Sequence, residues 1–183
     1  MNRNYGFKWG FKGSVDGSSN DPCKSDYRGV KPFSEPETQA MKHFIETNPL
    51  ITSAMNFHAW GDLLIYPNSF DPDPNNKLLT KEKPKFLKIF QEFEQNAPKL
   101  KKAVFGNAQK AVSYDSNGDS SDWMLYTHDI VALNPEVGND TTYGDTFYIA
   151  DTKKNLPKVV RDFHPTVKYF MEMHRTRFAV ASQ

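Results

Sequence analysis

Apolar positions along the 183-residue chain gather into short runs separated by polar stretches rich in Gly, Pro, Asn and Asp. Residues 1–33 show no sustained period, only scattered aromatics among Gly, Ser, Asn and Asp, which predicts an ordered but irregular segment. The stretch "FSEPETQAMKHFIETNP" reads as a helix: Ser34 can cap it, Pro36 suits its first turn, and Asn48-Pro49 stop it. Ala40, Met41, Phe44 and Ile45 then share its core-facing side. Two apolar runs, 51–57 and 63–66, predict a pair of buried strands around His58. A Pro/Asp/Asn loop follows at 67–77. A second helix is predicted over 81–105, with Phe86, Ile89, Phe90, Phe93 and Ala97 on one stripe and Pro98 bending it. Residues 106–122 read as a polar loop, 130–133 as a short strand and 139–155 as a loop. A last helix over 156–180 turns Val160, Phe163, Val167, Phe170 and Met171 inward, with a kink at His164-Pro165.

Strands and helices alternate, so the class is α/β. There is no internal repeat and no linker that would divide the chain, so residues 1–183 read as one unit. Three strands are few for such a class, and the first thirty residues have little to fold onto. The expectation is part of a larger domain.

Composition narrows the options only a little. Hydrophobic residues make up 38% and aromatics 14%, which suits a globular protein rather than a disordered one. The formal net charge of +1 offers no electrostatic case for nucleic acid or a membrane surface. No apolar run approaches a membrane span, and Met1 leads straight into "NRNYGFKWG" with no leader pattern. The lone cysteine, Cys23, cannot form an internal disulfide, and reads as a buried small hydrophobe.

Candidate chemistry centres on His58. One histidine at a strand end is ordinarily a satisfied core residue. Four neighbourhoods read together change that weighting: "NRNYGF" at 2–7, "NFHAWGDLLIYP" at 56–67, "YDSNGDSSDW" at 114–123 and "LNPEVG" at 133–138. In this order and with these gaps, the set resembles the zinc metallocarboxypeptidases of the pancreatic carboxypeptidase A/B type. The likeness runs from Asn2 to about Met173.

The resemblance implies a mixed β-sheet flanked by helices, of which this chain supplies about the C-terminal half. It also implies one zinc ion, and peptide or protein C-termini as substrate, hydrolysed at the last peptide bond. By motif, Asn2 and Arg3 would clamp the substrate carboxylate, which a guanidinium fork meets bidentately as an ammonium cannot. His58 would be the third zinc ligand. Tyr114, eight residues before Asp122, would be the mobile tyrosine that covers the substrate. Glu136, thirteen residues past Trp123, would be the general base. Ser121 stands where the family sets its preference for the terminal side chain, and serine fits neither the apolar nor the acidic pattern.

The family's H-x-x-E zinc ligands, and a cysteine that some relatives pair with the equivalent of Cys23, would lie upstream of "NRN", where only Met1 stands. The chain therefore reads as a peptidase domain with its N-terminal half missing, and needing that half for activity. "HFIE" at 43–46 spells H-x-x-E, but His43 and Glu46 fall on a helix far from the family's metal, and zinc needs convergent geometry. "DSNGDSSD" starts like a calcium loop at Asp115, Asn117 and Asp119, yet its glycine comes one position early and its twelfth position is Tyr126. An Asn139-Asp140-Thr141 sequon is also present. Three readings stay open: a metallocarboxypeptidase, an inactive relative that at most binds peptide C-termini, and a structural remnant.

Overall fold

The computed structural model describes residues 1–13, 17–98, 103–138 and 155–181. The predicted loop at 139–155, except Asn155, and the sequon at 139–141 lie outside the described residues. In chain order the elements are α1 (Pro36–Thr47), β1 (Ser53–Met55), β2 (Leu63–Ile65), α2 (Lys77–Glu82), α3 (Pro84–Asn96), β3 (Val104–Gly106), α4 (Ala108–Val112), α5 (Ser120–His128), β4 (Val131–Glu136) and α6 (Leu156–Ala181). Among the described residues the four strands form one mixed sheet in the order β1-β4-β2-β3. β1 runs parallel to β4, β4 antiparallel to β2, and β2 parallel to β3. No helix among the described residues is long and apolar enough to cross a membrane.

The sheet order corrects the expected strand pair. β1 and β2 are neighbours in sequence but not in space, because β4 lies between them. β1 is half-buried rather than buried, as an edge strand should be, and Phe57 beyond it is exposed.

β4 organises both sides of the sheet, because alternate side chains point to opposite faces. Val131 and Leu133 join one core with Leu64, Phe90, Phe93, Phe105, Phe163 and Phe170, so this face is covered by α3 and α6. Ala132 faces the other way, into a second core with Tyr5, Ile45, Trp123, Met124 and Ile130. Farther along that second face stand Asn134 and Glu136. The alternation that buries Ala132 thus delivers two polar side chains to the end of the sheet.

Several element boundaries differ from expectation for local reasons. The second helix stops at Asn96, because Ala97 precedes Pro98 and adopts extended backbone (ψ 143°). Pro98 ends the helix instead of bending it, and 104–106, expected as helix, is a strand. The expected polar loop at 106–122 contains α4 and the start of α5, both capped by their own side chains. Ser34 does not cap α1. Its Oγ donates to Glu35 Oε1 (2.7 Å), and Glu35 occupies the cap position without a side-chain bond.

On α1 only Thr38 and Ile45 are buried, while Ala40, Met41 and Phe44 are exposed. α6 is also rotated from its expected phase. Val159, Phe163, Thr166, Phe170 and Met173 are buried, whereas Val160 and Met171 face solvent, and the helix continues through Pro165. Cys23 is exposed, contrary to expectation, in a turn where its N–H donates to Asp21 Oδ1 (2.9 Å).

One buried side chain ties several parts of the irregular first segment together. Asn4, 1% exposed, donates to Arg28 O (2.6 Å), Lys31 O (2.9 Å) and Ser34 Oγ (3.0 Å), and accepts from Thr38 Oγ1 (2.6 Å) and Glu35 N (3.2 Å). A single amide thereby satisfies backbone that no regular element pairs.

Candidate active site

One cleft of about 360 Å³ collects Asn2, Arg3, His58, Tyr114 and Glu136 from four separate stretches of chain. Asp119 and Asn134 line it as well. Ser121 does not. It is 1% exposed, its Oγ donates to Asp119 Oδ1 (2.6 Å) and accepts from Asn134 Nδ2 (3.1 Å).

The β1–β4 ladder sets His58 beside Glu136. Its register pairs Ser53 with Val131, Ala54 with Ala132 and Met55 with Leu133, and continues past the end of β1 to a bridge between His58 and Glu136. Register partners in a parallel pair project to the same face of the sheet. The two side chains therefore open onto one space.

The His58 ring meets two amides. Asn56 Nδ2 lies 3.0 Å from Nε2, and Asn2 Nδ2 lies 3.5 Å from it, at the limit of a hydrogen bond. Both amide groups are donors, so Nε2 accepts and the ring proton is assigned to Nδ1. Burial lowers the imidazole pKa; Asp119 raises it, and Arg3 lowers it further. The net shift keeps the ring neutral, the form in which histidine binds a metal.

Glu136 moves the other way. Burial pushes its carboxyl from an ordinary 4.5 to about 7, with Arg3 pulling down and Asp119 pushing up. A carboxyl that titrates near neutrality can both take and return a proton.

Asn2 and Arg3 are placed by the 115–119 loop. Tyr5 N donates to Gly118 O (3.0 Å), which lays the N-terminal segment along that loop. Gly118 has φ +66°, and a Cβ there would come within 2.4 Å of Arg3 O, so the approach requires glycine. Asn2 is then fixed at both ends of its amide: Ser120 N donates to its Oδ1 (2.9 Å), and its Nδ2 donates to Asp119 Oδ2 (2.6 Å). Arg3 donates to Asn2 O (2.8 Å) and leaves Nε buried without a partner. Tyr114 follows α4 and is 44% exposed at the cleft.

Sequence reasoning missed the role of Asp119. It caps α5, accepting from Ser121 N (2.8 Å) and Asp122 N (3.4 Å), and also takes both amides, Asn2 and Asn134. The signal was present: an Asp three residues before another acid is a helix-start pattern. The calcium-like reading of the same loop does not converge in space. Asn117 instead donates to Phe11 O (3.1 Å) and accepts from Ser18 Oγ (2.5 Å). His43 and Glu46 are exposed on α1 and do not line the cleft; Glu46 sits 3.8 Å from Lys42 Nζ.

The sequence matches the zinc carboxypeptidase family over residues 1–166. The chain belongs to that family, a family of zinc-dependent peptide hydrolases. It is 28% identical over 164 residues to carboxypeptidase A2 of Rattus norvegicus, a match spanning 85% of this chain and 35% of that protein. Mast cell carboxypeptidase A of Homo sapiens is 29% identical over 126 residues, covering 67% and 28%. The chain spans about a third of the length of the curated relatives it matches. Among solved structures, the carboxypeptidase A of Helicoverpa armigera superposes with a TM-score of 0.66 at 21% identity, over all of this chain and 42% of that one. Bovine thrombin-activatable fibrinolysis inhibitor, in complex with tick carboxypeptidase inhibitor, gives 0.64 at 19% identity, over 94% and 56%. This zinc carboxypeptidase chain thus carries the family fold, a mixed sheet flanked by helices, over part of its full extent.

The family implies zinc, yet the described residues do not fit a zinc ion by themselves. No group of three or more His, Cys, Asp or Glu side chains among them could hold a metal. Catalytic zinc takes three protein ligands and an open position, and His58 is the one imidazole lining this cleft.

Proposed function

We propose that residues 1–183 form one partial peptidase domain, supplying the carboxylate clamp and the base of a carboxypeptidase that removes the last residue of a peptide. The observation that supports this most is the gathering of Asn2, Arg3, His58, Tyr114 and Glu136 on one cleft. Arg3 has guanidinium capacity to spare for a carboxylate, and a planar fork meets that group with two parallel bonds. Asn2 is held by Asp119 and Ser120, with its amide nitrogen also facing the His58 ring across the cleft. Tyr114, exposed at the mouth, adds a hydroxyl over the bound end. Glu136 takes a proton from the attacking water and returns it to the leaving amine. His58 would be this chain's ligand to the zinc that the family implies, one of the three protein ligands such a site takes.

A second reading, binding of peptide C-termini without hydrolysis, is favoured by the single imidazole at the cleft. Both readings share the clamp. Binding of N-acetylated tripeptides as free acids and as C-terminal amides tests it by calorimetry. Free acids should bind at least about tenfold tighter, and Arg3→Met should abolish the difference. Equal binding of acid and amide overturns both readings. Release of the terminal residue, followed by mass spectrometry and stopped by Glu136→Gln, separates enzyme from binder.

A further inference from the structure

Beyond Asn2, Arg3, His58, Tyr114 and Glu136, the wall of the cleft is part apolar and part polar, and its polar part is Ser69, Ser116, Asp119 and Asn134. Asp119 is only 2% exposed. All its hydrogen bonds come from neutral donors: the Ser121 N–H and hydroxyl, the Asp122 N–H, and the amides of Asn2 and Asn134. No cationic side chain among the described residues lies within 4.0 Å of it. Dipoles hold a carboxylate in place, but they do not cancel its charge. A buried anion without an ion-pair partner leaves a local negative field at its end of the cleft, strengthened where water is displaced. That field is felt nearby, since Asp119 pushes up the carboxyls of Glu136 and Asp122. On the same wall Ser69 is 1% exposed, and its buried hydroxyl has no hydrogen-bond partner.

We propose that the cleft selects peptides whose C-terminal side chain is cationic, lysine or arginine, with Asp119 as the specificity-determining charge and the Ser69 hydroxyl accepting an N–H of that side chain. This rests on the reading of the cleft as a site for the terminal carboxylate. With Arg3 at the substrate carboxylate and Glu136 at the reacting end, Asp119 is the acid left for the side chain. An aromatic end would press hydrocarbon against the carboxylate and strip its remaining hydration without pairing it. Ser121, the position singled out from the sequence, acts through Asp119 and Asn134, to which its hydroxyl is bonded.

The test compares N-acetyl-Ala-Ala-Xaa free acids ending in arginine, in citrulline (its neutral isostere) and in phenylalanine, by calorimetry on the unmodified chain. Arginine should bind at least about tenfold tighter than either, and the margin should shrink as salt is added. Ser69→Ala should weaken arginine more than it weakens phenylalanine. Asp119→Asn should bring arginine down to citrulline. Because that variant also alters the α5 cap, the arginine–citrulline comparison on unmodified protein is decisive. Equal affinity for those two, or phenylalanine as the tightest ligand, overturns the proposal while leaving the clamp intact. Free acids that bind no better than their amides overturn the clamp, and this inference with it.

Discussion

His58 and Glu136 are partners in one parallel ladder: His58 N donates to Pro135 O (2.8 Å), and Val137 N donates to His58 O (2.9 Å). Neither position depends on a flexible loop. The imidazole and the carboxyl keep their spacing because the register of β1 against β4 keeps it, and a one-residue slip would turn one of them to the opposite face.

Glu136 should titrate near pH 7 in carbon-detected NMR, in line with its shift from 4.5 to about 7. Asp119 raises that value and Arg3 lowers it, so Asp119→Asn should move the midpoint down and Arg3→Gln should move it up. The stability effect has a definite sign. The folded carboxyl holds its proton more tightly than the unfolded one, so its stabilising contribution is complete below about 4.5 and is lost as pH rises to about 7. Glu136→Gln should flatten that part of the stability profile. A midpoint near 4.5 would remove the case for Glu136 as a base poised at neutral pH.

Gly118→Ala should cost about 1–3 kcal/mol in chemical denaturation, from the positive φ alone. The added Cβ meets backbone at Arg3 O and at Tyr5 O (3.2 Å), which has no soft side chain to yield. Arg3 should therefore shift, and affinity for peptide free acids should fall along with stability. A variant as stable as the parent that binds acids equally well would show that this loop does not place Arg3.

Zinc binding by the chain alone should be no tighter than that of an ordinary surface histidine, in the micromolar range or weaker, since three protein ligands are required and His58 stands without two others among the described residues. Competition with a chromophoric chelator measures it, and His58→Ala should change the result little. One-to-one binding at nanomolar affinity, lost on His58→Ala, would show a complete ligand set within these 183 residues.

Much of this was legible in the chain order. The motifs around Asn2, His58, Tyr114 and Glu136 carry the family because their spacing survives wherever the intervening elements keep their lengths. The stripe Phe86, Phe90, Phe93 could be read because a helix repeats every 3.6 residues whatever it packs against. Strand order could not be read this way. β4 enters between β1 and β2 from some seventy residues downstream, and only non-local pairing decides which edges meet. The phase of α6 was likewise set by the surface it covers, which chose Val159 and Met173 over Val160 and Met171.

The same division runs through the cleft. Ser121 and Asp119 stand two residues apart in one polar run, and nothing in the letters says which of them faces the cleft. Helix geometry decides it: the cap residue Asp119 keeps its side chain over the helix start and at the cleft, while Ser121, one turn-step inside α5, is turned into buried packing beneath it. The chemistry available to this chain was written in its residues, but which carboxylate lines the cleft was decided only when α5 docked against β4.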